Sequence, residues 1–153
     1  MAGLEQMKNS IEIDLKHIRK ELAEQEMIPG AYCQEYETFK IIYRFVERRM
    51  RRTKESAYII LLTLTDGAGE FPELRDRDER MELLSGLIQG SIRAGDVYTK
   101  YSSCQFLLMA LDLSERDTEV IVKRIADAFY RSVGEESGLV LLDHCFSMRA
   151  AGK

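Results

Sequence analysis

The sequence has few of the residues that build covalent or metallic cross-links. Its 153 residues include three cysteines, Cys33, Cys104 and Cys145, and two histidines, His17 and His144, with no Cys-x-x-Cys pair. An odd number of widely spaced cysteines argues against a disulfide framework and a zinc site, so reduced thiols in a cytoplasmic protein are expected. No apolar run approaches the roughly 20 residues of a membrane-spanning helix. Glu5, Lys8, Glu12 and Asp14 interrupt the N-terminal apolar residues, so no secretory signal is expected. Positive charge is not in excess: 22 Lys and Arg stand against 26 Asp and Glu, a net charge of −4. A general nucleic-acid binder has the opposite balance, and neither nucleic acid nor membrane is an expected partner. Internal repeats and low-complexity tracts are also missing.

What is present suits one globular domain. Hydrophobic residues make up 45% and charged residues 31% of the chain, which is long enough to bury a core. Leu4, Met7, Ile11, Leu15, Ile18 and Leu22 follow spacings of 3, 4, 4, 3 and 4, predicting an amphipathic helix over residues 4 to 25. The pattern repeats after eleven residues, which keeps one stripe apolar on a nearly straight helix. Such a helix either lies on its own domain or pairs with a second copy. Ile28-Pro29-Gly30 breaks it, dividing an N-terminal helix (1–28) from a domain (29–153).

A second helix is predicted over about 33 to 53, with Tyr36, Phe39, Ile42, Tyr43, Phe45, Val46 and Met50 on its buried face. Its tail carries Arg44, Arg48, Arg49, Arg51, Arg52 and Lys54. Cations at a helix C-terminus complement the macrodipole by ~0.3–1 kcal/mol each, so a solvated helix end is preferred to an anion or RNA site, with a partner contact left open. Ala57 to Thr65 is too apolar and short for a surface helix and reads as a central strand. Asp66-Gly67-Ala68-Gly69 is a turn, continued by Phe71-Pro72. Helical spacing returns over 76 to 90. The residues of VYTKY and FLLMALD form two strands joined by Ser102-Ser103-Cys104-Gln105. Ser114 caps a helix running to about Val133, and Gly138 to Met148 is a last strand. The order helix, helix, strand, helix, strand, strand, helix, strand predicts an α/β domain, its single mixed sheet containing an antiparallel hairpin and flanked by helices.

The hairpin resembles that of the diguanylate cyclase (GGDEF) family. There the tip reads Gly-Gly-Asp-Glu-Phe, usually after Arg-Tyr, with an Arg-x-x-Asp motif ending five residues upstream. Here Lys100-Tyr101 precedes Ser102-Ser103-Cys104-Gln105-Phe106, and Arg93-Ala94-Gly95-Asp96 lies at the matching distance. The resemblance implies a palm-like fold over roughly residues 30 to 148, with the closing elements shortened, in a bacterial signalling protein. Family members join two GTP molecules into cyclic di-GMP using magnesium held by acidic residues. One ligand is an Asp ending the first strand, where Thr63 falls here. Cys104 and Gln105 replace the hairpin Asp and Glu, and Ser102 and Ser103 replace glycines that let backbone approach phosphate. The resemblance therefore implies a degenerate cyclase with no catalytic residues, metal or cofactor. Cys104 reads as an ordinary thiol, since only Lys100 is nearby in sequence to lower its pKa.

Two functions follow from that reading. The first is an interaction module dimerising through the N-terminal helix or controlling an unknown protein partner. The alternative is a cyclic di-GMP receptor whose Arg93 and Asp96 match the family's inhibitory site, Arg donating to phosphate and guanine and Asp accepting from guanine. Structural roles for the same pair weigh more heavily: Arg93 complementing a helix end and Asp96 capping the entry to a strand.

Overall fold

Ten residues of nearly unbroken apolar character, Ala57–Asp66, run through the middle of the sheet. The computed structural model describes residues 2–23, 30–70, 72, 74–93 and 95–149. In chain order these form α1 (Ala2–Leu22), β1 (Tyr32–Cys33), α2 (Tyr36–Met50), β2 (Ala57–Asp66), α3 (Leu74–Ser91), β3 (Val97–Ser102), β4 (Gln105–Leu111), α4 (Glu115–Val133), a 3-10 turn (Glu135–Ser137) and β5 (Leu139–Ser147). The expected break at Ile28-Pro29, with the domain boundary drawn there, and Phe71 of the predicted loop lie outside the described residues. The five strands stand in the order β1-β3-β4-β2-β5. β1 runs parallel to β3, and every other pairing is antiparallel.

Alternation along β2 sends its side chains into two cores. Ile60, Leu62 and Leu64 pack with Leu84 and Ile88 of α3 and Ile125 and Phe129 of α4. Ala57 and Ile59 face the other way, against Phe39 and Met50 of α2, with Val97 and Met109 beside them. Burial of each large side chain contributes about 1.5–3 kcal/mol, which explains why this strand is apolar on both faces. α4 starts at a capping box: Asp117 N donates to Ser114 Oγ (3.1 Å) and Ser114 N donates to Asp117 Oδ2 (3.0 Å). Hydrogen bonding to the carboxylate from the Ser114 backbone amide and then its side chain, followed by the charges of Arg93 and Arg116, holds the Asp117 carboxyl below its usual range.

The structure corrects several expectations. The predicted four-residue connection shrinks to Ser103 and Cys104, because Ser102 pairs with Gln105 across an irregularity after Lys100. β1 has no periodic signal in two residues; hydrogen bonds from Tyr32 N to Asp96 O and from Gln34 N to Tyr98 O (both 2.9 Å) hold the segment to the sheet. α2 is shorter than expected, and Phe45, assigned to its buried face, is 65% exposed. It stands about 120° around the helix from Phe39. Every residue of α1 from Gly3 onward is exposed, so the apolar stripe does not lie on its own domain. Among the described residues no helix is long and apolar enough to cross a membrane.

Gly30 brings the chain against the end of α3, where Ala31 N donates to Gln89 O (3.1 Å). Its φ of +92° belongs to the region that favours glycine, and a Cβ there would run into the Gln89 carbonyl. Gly30→Ala is expected to lower unfolding free energy by about 1–3 kcal/mol in urea titration. An unchanged midpoint would refute this account of the approach.

Candidate functional site

The pairing of β2 with β4 sets Thr63 directly opposite Gln105. Gln105 Nε2 donates to Thr63 Oγ1 (3.2 Å), Ser102 Oγ donates to Gln105 Oε1 (2.9 Å), and Cys104 N donates to Ser102 Oγ (3.3 Å). Leu64 N closes the tip by donating to Cys104 O (2.8 Å). The fold thus brings together Thr63, Ser102, Cys104 and Gln105, and leaves Ser103 exposed at the turn. Phe106 is buried and meets the Tyr98 ring edge-on, with centroids 6.0 Å apart. Cys104 is 1% exposed, which shields its sulfur from reagents. Burial and the charges of Asp143, Glu115 and Glu119 push the Cys145 thiol pKa up.

A neutral chain of hydroxyls and an amide is poor material for a Mg²⁺ site, which wants carboxylate oxygens in near-octahedral array. Asp66, the acid closest in sequence to Thr63, accepts from Ala68 N (2.8 Å) and Glu70 N (2.9 Å) through Oδ1, forming the turn after β2. Among the described residues no three His, Cys, Asp or Glu side chains group as a metal site. The donors at the tip do not fit the magnesium implied by the family resemblance.

Arg93 and Asp96 lie at the opposite end of the β3–β4 hairpin. Asp96 is 1% exposed. Its Oδ2 accepts from Arg93 N (3.0 Å) and its Oδ1 from Leu111 N (2.9 Å), while Arg93 Nε lies 3.7 Å from Oδ2. Both oxygens are therefore engaged in joining the end of α3 to the end of β4. The exposed Arg93 guanidinium donates through Nη2 to the Leu111 carbonyl. Arg93, Gly95, Asp96, Leu111 and Asp112 line an open pocket of about 310 Å³. Arg124 of α4 reaches the same helix end by donating from Nη1 to Ser91 O (3.3 Å). The pocket offers anions one arginine, set beside two carboxylates.

Sequence reasoning missed a larger cavity of about 410 Å³ between α2 and the sheet, lined by Tyr36, Tyr43, Arg44, Ile59, Leu107 and Phe146 among others. The period-two pattern of β2 held the signal: Ile59 and Leu61 point to a face that α2 covers only in part. Tyr101 at the tip stacks edge-on against Tyr36, 5.2 Å between centroids.

No family model matches the chain, and no curated protein matches it in sequence. Solved structures do match in fold. A DGC protein from Thermotoga maritima aligns with a TM-score of 0.63 at 15% identity, over 80% of this chain and 85% of its own. The GGDEF domain of DgcB from Caulobacter crescentus, in complex with c-di-GMP, gives 0.64 at 10% identity over 86% and 82%. The coiled coil and GGDEF domain of the same protein give 0.61 at 9% identity over 99% and 82%. The domain is thus GGDEF-like in fold, a five-stranded mixed sheet flanked by helices and preceded by α1.

Asp96→Ala would leave the Arg93 and Leu111 amides without their acceptor. A loss of about 2–4 kcal/mol in chemical denaturation is expected, with a smaller loss for Asp96→Asn. Wild-type stability in the alanine variant would show that the carboxylate is not a structural tie.

Proposed function

We propose that the chain is a GGDEF-like signalling domain that works through protein contact, pairs with a second copy along α1, and carries no cyclase chemistry. The exposed stripe of α1 carries this reading. Leu4, Met7, Ile11, Leu15, Ile18 and Leu22 are 46–79% exposed, and all lie at helical spacing on one face. Burying such side chains against a second helix contributes about 1.5–3 kcal/mol each at full burial. Support also comes from DgcB, whose coiled coil and GGDEF domain together align over 99% of this chain, α1 included. The loss of chemistry is supported by the uncharged tip, where Thr63 and Gln105 bond to each other.

Sedimentation of the full chain should give twice the 17.6 kDa monomer mass, and Leu15→Glu should give the monomer with an unchanged domain melting temperature. A wild-type monomer at high concentration would remove the pairing. GTP with Mg²⁺ should yield no product; steady turnover would overturn the catalytic half of the proposal.

A second reading, a cyclic di-GMP receptor, is favoured by the exposed Arg93 guanidinium over its open pocket and by the ligand of DgcB. Calorimetric titration should then show heat that Arg93→Ala abolishes without unfolding the domain. No heat with the wild-type chain would eliminate it.

A further inference from the structure

The outward face of α2 combines two features that a solvated helix end does not explain. Ile41 and Phe45, one turn apart, are 64% and 65% exposed. Arg44 and Arg48 are exposed on the same side, all four side chains falling within an arc of about 100°, and Arg52 and Lys54 follow just beyond the last turn. Arg49 and Arg51 are held by Glu55 (3.3 Å) and Glu47 (3.9 Å). Arg44, Arg48, Arg52 and Lys54 make no ion pair or side-chain hydrogen bond with any described residue. The helix macrodipole acts within the last turn. It accounts for Arg48 and Arg49 but not for Arg44, and it gives no reason to expose a phenylalanine.

We infer that this face docks an acidic segment of a partner protein, one that presents an apolar side chain among carboxylates. The inference rests on the protein-contact reading above and names the chemistry of the partner. An aromatic centre with arginines around it has the composition of interface hot spots. Guanidinium groups bind carboxylates through paired, planar donors. The same face of a second copy would meet it with like charge, so a twofold pairing through α2 is disfavoured. The chain's net charge of −4 opposes an extended polyanion such as a bilayer or nucleic acid more than a short acidic segment that meets this face alone. Two apolar side chains on one turn are also a short strip beside the full apolar face of an interfacial helix.

The test uses the full chain and a synthetic amphipathic helix with leucines on one stripe and glutamates on its flanks, followed by fluorescence anisotropy. The peptide should bind, and binding should weaken as salt rises. Combined Arg48→Glu and Arg52→Glu should weaken it about tenfold or more, and Phe45→Ala should also weaken it. Leu15→Glu, on α1, should bind as the wild type does. No binding, equal binding of a peptide with glutamine for glutamate, or indifference to the α2 substitutions would overturn the inference. So would preferential binding to phosphatidylserine-containing vesicles or single-stranded RNA. None of these outcomes alters the mass measurement that decides pairing through α1, so the two readings fail separately.

Discussion

Burial of β2 on both faces fixes the rest of the molecule. Ile60, Leu62 and Leu64 are fully buried on one side, and Ala57 and Ile59 nearly so on the other. Slipping the strand by one residue against β4 would exchange these sets and expose both cores to mismatched side chains. The same register sets Thr63 opposite Gln105 and Leu61 opposite Leu107. The geometry of the hairpin tip is thus a consequence of core packing, maintained whether or not the tip has any chemistry of its own.

The two ends of the hairpin solve opposite electrostatic problems. At the tip, hydroxyl and amide groups satisfy one another without charge, so no counter-ion is needed to keep β2 and β4 together. At the other end a carboxylate is buried, and burial of a charge is tolerable only with strong partners. Asp96 has them in two backbone amides and the Arg93 guanidinium. Its backbone also serves, since Asp96 O accepts from Tyr32 N and so places β1 on the sheet edge. A residue so engaged has little left for a ligand, which moves any anion recognition at this end to Arg93.

The architecture was legible where the signal was long or periodic. The β2 run, the hairpin and Ser114 each declared themselves, because apolar period and cap chemistry are local properties. β1 was not legible, since two residues carry no period and owe their place to distant carbonyls. Phe45 misled because apolar character alone does not fix which side of a helix it occupies; its phase relative to Phe39 and Met50 does. For Arg93 and Asp96 the sequence held both a ligand role and a structural one. Only the position of Leu111, fifteen residues beyond Asp96, shows how fully the carboxylate is used.

The two exposed apolar surfaces differ in a way that determines what each can meet. Along α1 the stripe is flanked by both signs of charge, with Glu5, Lys8, Glu12, Lys16 and Glu21 among its neighbours. A face of mixed sign can be self-complementary, as a twofold pairing of identical helices requires. On the outward face of α2 the arginines outnumber one carboxylate, Glu37, which pairs with Lys40 (2.9 Å), and two such faces brought together would desolvate arginines against arginines. The pairing proposed along α1 would leave that second face uncovered, and its unpaired cations suit an acidic molecule. Pairing along α1 and docking of an acidic segment on α2, as proposed, would use different helices, so partner binding would not compete with assembly.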